Sequence, residues 1–108
     1  VLQTTYAGGL ELKLTDLHDE LKAIIRDRAL THGDLENTFE IMAQRWSQVL
    51  EMDITPAQTA WMMAEAKLAR MESGGYQRDH LLDAANYLII SAYLNEVELG
   101  AILDEEEK

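Results

Sequence analysis

Two pairs of carboxylates, Glu36/Glu40 and Asp79/Asp83, stand four residues apart in a chain of 108 residues. On an α-helix that spacing places both members of a pair one turn apart on one face. Asp79 and Asp83 fall in the most apolar stretch of the sequence, where an uncompensated negative charge is costly. Carboxylates converging from separate helices of a small bundle can hold a hard cation such as Mg²⁺, or Mn²⁺ in its place. Glu36, Glu40, Asp79 and Asp83 are therefore the expected metal ligands, and Glu40 and Asp83 the expected catalytic carboxylates.

Lys67 and Arg70, one turn apart, suit a polyphosphate: lysine acts as a point charge and arginine as a planar fork. Asn86 continues the Asp79–Asp83 face, and Tyr87 follows Asp83 by one turn, where a nucleobase could stack. Asn37, Lys67, Arg70, Asn86 and Tyr87 are thus the expected substrate contacts. Simpler roles are open to several of these residues. Asp79 can cap a helix, Asp83 can pair with Arg70 or Arg26, and Glu36 can complement a helix dipole. Other chemistries lack their residues. There is no glycine-rich phosphate loop, no serine nucleophile elbow and no histidine pair at zinc spacing. The chain has no cysteine, which excludes disulfides and thiol catalysis.

The helices that must carry these side chains are marked by periodicity and caps. Residues 1–9 end in Ala7-Gly8-Gly9 and read as a lead-in, and Leu10, Leu12 and Leu14 alternate as in a short strand or a helix approach. A first helix is predicted from Thr15-Asp16, with Leu17, Leu21, Ile24 and Ile25 as its stripe and Gly33 as its cap. A second runs from Asp34 or Leu35 to Leu50. Phe39, Met42, Ala43, Trp46, Val49 and Leu50 form its apolar face, and Glu36 and Glu40 lie along the border. The third opens on Thr55, Pro56 and Gln58, an N-cap, a first-turn proline and a capping box. Its stripe is Ala57, Ala60, Trp61, Ala64, Leu68 and Met71, and Gly74-Gly75 stops it. The fourth, from about Arg78 to Glu98, is apolar nearly all round, as in helices buried centrally or shared between subunits. The expected architecture is an all-α four-helix bundle. Residues 1–14 form an N-terminal extension, 15–100 a single domain and 101–108 an acidic tail.

The net charge of −11 comes from 20 acidic and 9 basic residues. With its lysines and arginines scattered, such a chain repels a nucleic-acid backbone, so no nucleic-acid partner is expected. No apolar run approaches the roughly 18–20 residues that span a bilayer, and the first residues lack the pattern of a secretory signal. These features predict a cytoplasmic protein without a membrane partner.

The string from Asp27 to Phe39, Asp-Arg-Ala-Leu-Thr-His-Gly-Asp-Leu-Glu-Asn-Thr-Phe, with Trp46 following, resembles a segment of a small uncharacterised phage and prophage family. The resemblance continues through Ile54-Thr55-Pro56, Met62-Met63, Lys67-Leu68-Ala69-Arg70 and Asp79 to Tyr87. The helical layout is similar to the MazG-like all-α nucleoside triphosphate pyrophosphatases. Those enzymes use acidic residues on two helices to hold Mg²⁺ and split (d)NTPs. Their usual signature has Glu-x-x-Glu and Glu-x-x-Asp on successive helices, whereas both pairs here are four apart with a whole helix between them. The resemblance implies a MazG-like bundle, dimeric or higher, that acts as a Mg²⁺-dependent nucleotide pyrophosphohydrolase in a bacterial host cell. The alternative is a non-enzymatic phage helical protein that binds a nucleotide or a host protein.

Overall fold

A computed structural model describes residues 4–5, 11–31 and 34–106, with side chains over 13–27 and 34–106. The chain divides into two compact units, Val1–Gly33 and Asp34–Lys108. In the first, strands β1 (Thr4–Thr5) and β2 (Glu11–Leu12) pair antiparallel, and helix α1 spans Leu14–Thr31. Leu17, Leu21, Ile24 and Ile25 are half-buried, as their periodicity predicts. The helix starts at Leu14, a residue before the expected Thr15-Asp16: Asp16 sits inside its first turn and its carboxylate accepts the Lys13 backbone N–H at 3.0 Å. The expected stop at His32-Gly33 and most of the lead-in lie outside the described residues.

The second unit contains α2 (Leu35–Leu50), α3 (Pro56–Gly74) and α4 (Arg78–Glu106). At the head of α2, the Asp34 carboxylate accepts the Asn37 backbone N–H at 3.2 Å. Its end is closed by Glu51 in a left-handed conformation, φ 54° and ψ 41°. Ser47 then clasps the loop, its Oγ donating to the Ala43 carbonyl at 2.7 Å and accepting the Ile54 N–H at 2.9 Å. The capping box of α3 forms as its residues predict. Gln58 N–H donates to Thr55 Oγ1 at 3.1 Å, and Thr55 N–H donates to Gln58 Oε1 at 3.0 Å.

Helices α3 and α4 form an antiparallel hairpin. Its register is fixed by the Ser91 hydroxyl, which donates to the Ala57 carbonyl at 2.8 Å, and by an ion pair between Lys67 and Asp83. Ala57, Ala60 and Ala64 on α3 and Ala84 on α4 are buried, and their small side chains permit a close helix approach. The core joins Phe39, Ala57, Ala60 and Leu94, with Met42, Met63, Tyr87 and Ile90 packed around it. Phe39 meets Tyr87 edge-on, ring centroids 6.4 Å apart, a favoured aromatic geometry.

Three expectations need correction. Val49 and Leu50 point into solvent, Val49 by 79%, because core contact at the end of α2 passes to Ser47 and Ile54. Trp61 is 53% exposed: the buried stripe of α3 runs through Ala57, Ala60 and Ala64, and Trp61 and Leu68 flank it. Helix α4 does not end near Glu98 but continues through Gly100 to Glu106. A mid-helix glycine costs only about 1 kcal/mol relative to alanine, and Ala101-Ile102-Leu103 sustain the helix beyond it.

Candidate functional site

Asp83 is the most constrained of the expected ligands. It rides on the apolar α4, its side chain 18% exposed, and its Oδ2 lies 3.1 Å from the Nζ of Lys67, itself 21% exposed. The expected phosphate ligand Lys67 therefore serves as a counter-ion, in the role an arginine was expected to fill. Arg70 and Asp79 each lie one turn from this pair, and because the helices are antiparallel they lie in the same direction along the hairpin. Both are exposed. Asn86, three residues after Asp83, is buried at 2% exposure. Lys67, Arg70, Asp79, Asp83 and Asn86 thus gather over about two turns of the hairpin, cations on α3 and carboxylates on α4.

The glutamate pair lies elsewhere. Glu36 accepts a hydrogen bond from the Tyr93 hydroxyl at 2.5 Å. Tyr93 is ten residues beyond Asp83 on α4, about 15 Å along the axis at roughly 1.5 Å per residue. Glu36 and Glu40 border an open groove of about 610 Å³ that also includes Asp53, Glu98, Leu94 and Val97. The four expected metal ligands consequently do not form one centre. Among the described residues, no three histidine, aspartate or glutamate side chains converge on a common point able to hold a metal ion.

The carboxylate of Glu36 raises the Tyr93 phenol above its ordinary pKa of 10.0, first through the hydrogen bond and then through its charge. Asn37 contributes a backbone N–H to the α2 cap, and its side chain is exposed. Tyr87, expected to line a base pocket, packs against Phe39 in the core.

Two features escaped sequence reasoning. The Tyr93–Glu36 bond joins helices 57 residues apart in the chain, and nothing local signals it. His80, between Asp79 and Leu81, has a buried Nδ1 with no hydrogen-bond partner. A lone histidine in a carboxylate-bearing turn is the signal that would have singled it out.

The arrangement on the hairpin matches the way Mg²⁺ is commonly held, by one or two carboxylates together with substrate phosphates and water. Asp79 and Asp83 are the two carboxylates on this face, and Asp83 is already paired with Lys67. Two carboxylates are too few for a metal cage built from protein alone, in keeping with the absence of a three-ligand cluster among the described residues.

Comparison with known families matches residues 16–95 to the family described as Domain of unknown function (DUF6378), and the chain belongs to that family. No curated protein and no solved structure matches it.

Proposed function

We propose that this chain is a Mg²⁺-dependent nucleoside triphosphate pyrophosphohydrolase that acts on (d)NTPs from the polar face of the α3–α4 hairpin. The observation that carries the reading is the placement of two cations, Lys67 and Arg70, and two carboxylates, Asp79 and Asp83, along one stretch of the hairpin, with Lys67 reaching Asp83 at 3.1 Å. A bound metal would supply charge neutralisation and a water of lowered pKa. The chain's own side chains do the rest. Asp83 and Asp79 present negative charge to the metal–nucleotide complex, and Lys67, released from Asp83, moves to a phosphate oxygen. Arg70 offers the fork that holds a second phosphate, and Asn86 orients Asp83 from the next turn.

Glu36, bonded to Tyr93 about 15 Å along α4 from Asp83, and Glu40 in the next turn of α2 enter this scheme only if a second chain brings them to the site. The MazG-like resemblance supports both the reaction class and an oligomeric form. It also supports a setting in the cytoplasm, that of a bacterial host where the gene is phage-borne. Among the described residues no helix is long and apolar enough to cross a membrane.

Asp83→Ala is the test. It should abolish Mg²⁺-dependent release of nucleoside monophosphate while the far-ultraviolet helical signal stays within a tenth of wild type. Full activity in that variant would sink the assignment.

One observation favours the second reading, a non-enzymatic helical protein that binds a nucleotide or a host protein. Lys67 already neutralises Asp83, as a purely structural pair would. Calorimetry of the protein alone with Mg²⁺ or Mn²⁺ separates the two. Saturable metal binding supports the enzyme, and its absence supports the structural pair.

A further inference from the structure

The open groove of about 610 Å³ lies wholly within the second unit, lined by α2, the loop that enters α3 and the later part of α4. Its apolar lining comes from all three: Ala43 and Leu94 are buried, Ile54 is half-buried and Val97 is 41% exposed. Its charge is of one sign. Glu36 and Glu40 stand one turn apart on α2, Asp53 lies on the loop and Glu98 on α4, and none of the lining residues is a lysine or arginine. Gln44 and Gln48 extend the α2 row by two further turns without adding a positive charge. The Tyr93 hydroxyl bonds Glu36, but a neutral phenol leaves the charge of the carboxylate in place.

We infer that this groove docks a partner protein through a basic amphipathic helix, whose apolar side fills the groove and whose lysines or arginines meet the carboxylates. Charge sets the sign of the occupant. Four carboxylates around an apolar surface focus a negative potential, and a bound cationic segment relieves their mutual repulsion. About two turns beyond Glu98, Asp104, Glu105 and Glu106 end α4, where the helix dipole is also negative. A triphosphate is repelled by such a field. A bare metal ion is poorly served as well, because no three acidic or histidine side chains converge among the described residues.

Shape sets its form. A small ligand has about 70–90% of its surface buried in its pocket, which an open groove does not provide, whereas an amphipathic helix needs cover on one face only. From Glu36 to Gln48 the α2 wall runs for about 18 Å at roughly 1.5 Å per residue, the length of a helix of about 12 residues. Among the described residues the second unit has no strand, so an extended peptide finds no sheet edge to join. A helix laid in the groove packs its side chains against α2 and α4 as the helices of a bundle do. The inference rests on the partner-binding reading's premise that a protein docks on this chain, and gives that partner a place and a chemistry. The nucleotide reading concerns another region, since Tyr93 stands about 15 Å along α4 from Asp83.

Fluorescence anisotropy of a labelled synthetic helix tests the inference in buffer with neither metal nor nucleotide, so its outcome is read apart from nucleotide turnover. The probe is an end-capped peptide of about 14 residues, with leucine at the a and d positions of its heptads and lysine elsewhere. Binding to the whole chain should be saturable and one to one, and should weaken about fivefold between roughly 0.05 and 0.3 M salt. The same residues in an order without helical periodicity should bind about tenfold more weakly. No saturable binding, or equal binding of the reordered peptide, would overturn the proposal. Glu40→Lys with Glu98→Lys should weaken binding about tenfold. Glu65→Lys with Glu72→Lys makes the same change in net charge on exposed α3 surface outside the groove, and should stay within about twofold of wild type. Equal weakening by the two pairs would show attraction by bulk charge, which also overturns the proposal. Amide NMR shifts of the unsubstituted chain with the peptide keep the test sound should a variant fail to fold. Ala43, Ser47, Ile54 and Val97 should move most, and shifts centred on Trp61 and Leu88 would place the peptide elsewhere and refute the groove.

Discussion

Removing the Lys67–Asp83 ion pair measures how firmly the hairpin holds its polar face. The two side chains are 21% and 18% exposed and 3.1 Å apart, so the pair is neither a surface contact nor fully interior. Fully exposed pairs couple by about 0.2–1 kcal/mol, and stripping one partner from a fully buried pair costs about 3–5 kcal/mol. With roughly a fifth of each side chain still in water, the coupling should be about 1–2 kcal/mol. Lys67→Met and Asp83→Asn keep length and shape while removing charge. Each single variant removes one half of a half-buried charge pair and should lose about 2 kcal/mol, and the double variant should lose less than the two singles together. Urea unfolding followed by circular dichroism at 222 nm yields all four stabilities. The coupling should persist in 1 M salt, because burial shields the pair from ions whose screening length is then about 3 Å. A coupling below about 0.3 kcal/mol, within the scatter of independent sites, would refute the claim that the pair organises this face.

Three further outcomes follow from local geometry. Folding raises the Tyr93 phenol above 10.0, so its bond to Glu36 contributes fully below the unfolded value of about 10 and is lost as pH rises through the folded one. Absorbance at 295 nm should show one late-titrating tyrosine, and Glu36→Gln should bring that step back towards 10; an unchanged profile would contradict the assignment. Glu51→Gly should raise stability by about 1 kcal/mol in urea titration, because Glu51 holds φ 54° and glycine adopts that region freely. Ser91→Ala should cost about 1 kcal/mol and Ser91→Leu about 3 kcal/mol, since Ser91 is buried where the hairpin backbones approach. Equal losses in the two would show that the hydroxyl, and not the close approach, matters there.

The helices were readable because their signals are local. Thr55-Pro56 with Gln58 fixes the start of α3, and Gly74-Gly75 fixes its end, whatever the rest of the chain does. Which face of each helix is buried was less legible. Trp61 and Ala60 fit the same apolar stripe, and small residues won the interface because two backbones must come close. The expected end of α4 near Glu98 came too early, because Ala101-Ile102-Leu103 favour a helix beyond Gly100. At the site, Asp83 was singled out by its apolar neighbours, and its burial follows from them. The location of Glu36 was not legible, since it depends on how α2 lies against Tyr93, a contact 57 residues distant in sequence. Four carboxylates at helical spacing say which residues share a helix face, but not whether two helix faces meet.

The most direct measurement is ³¹P NMR of the purified chain incubated with the standard and modified (d)NTPs, with Mg²⁺ and with chelator. The nucleotide reading predicts pyrophosphate and nucleoside monophosphate from at least one substrate, only when Mg²⁺ is present and not with Asp83→Ala. No product from any nucleotide, with the helices intact by circular dichroism, would contradict it.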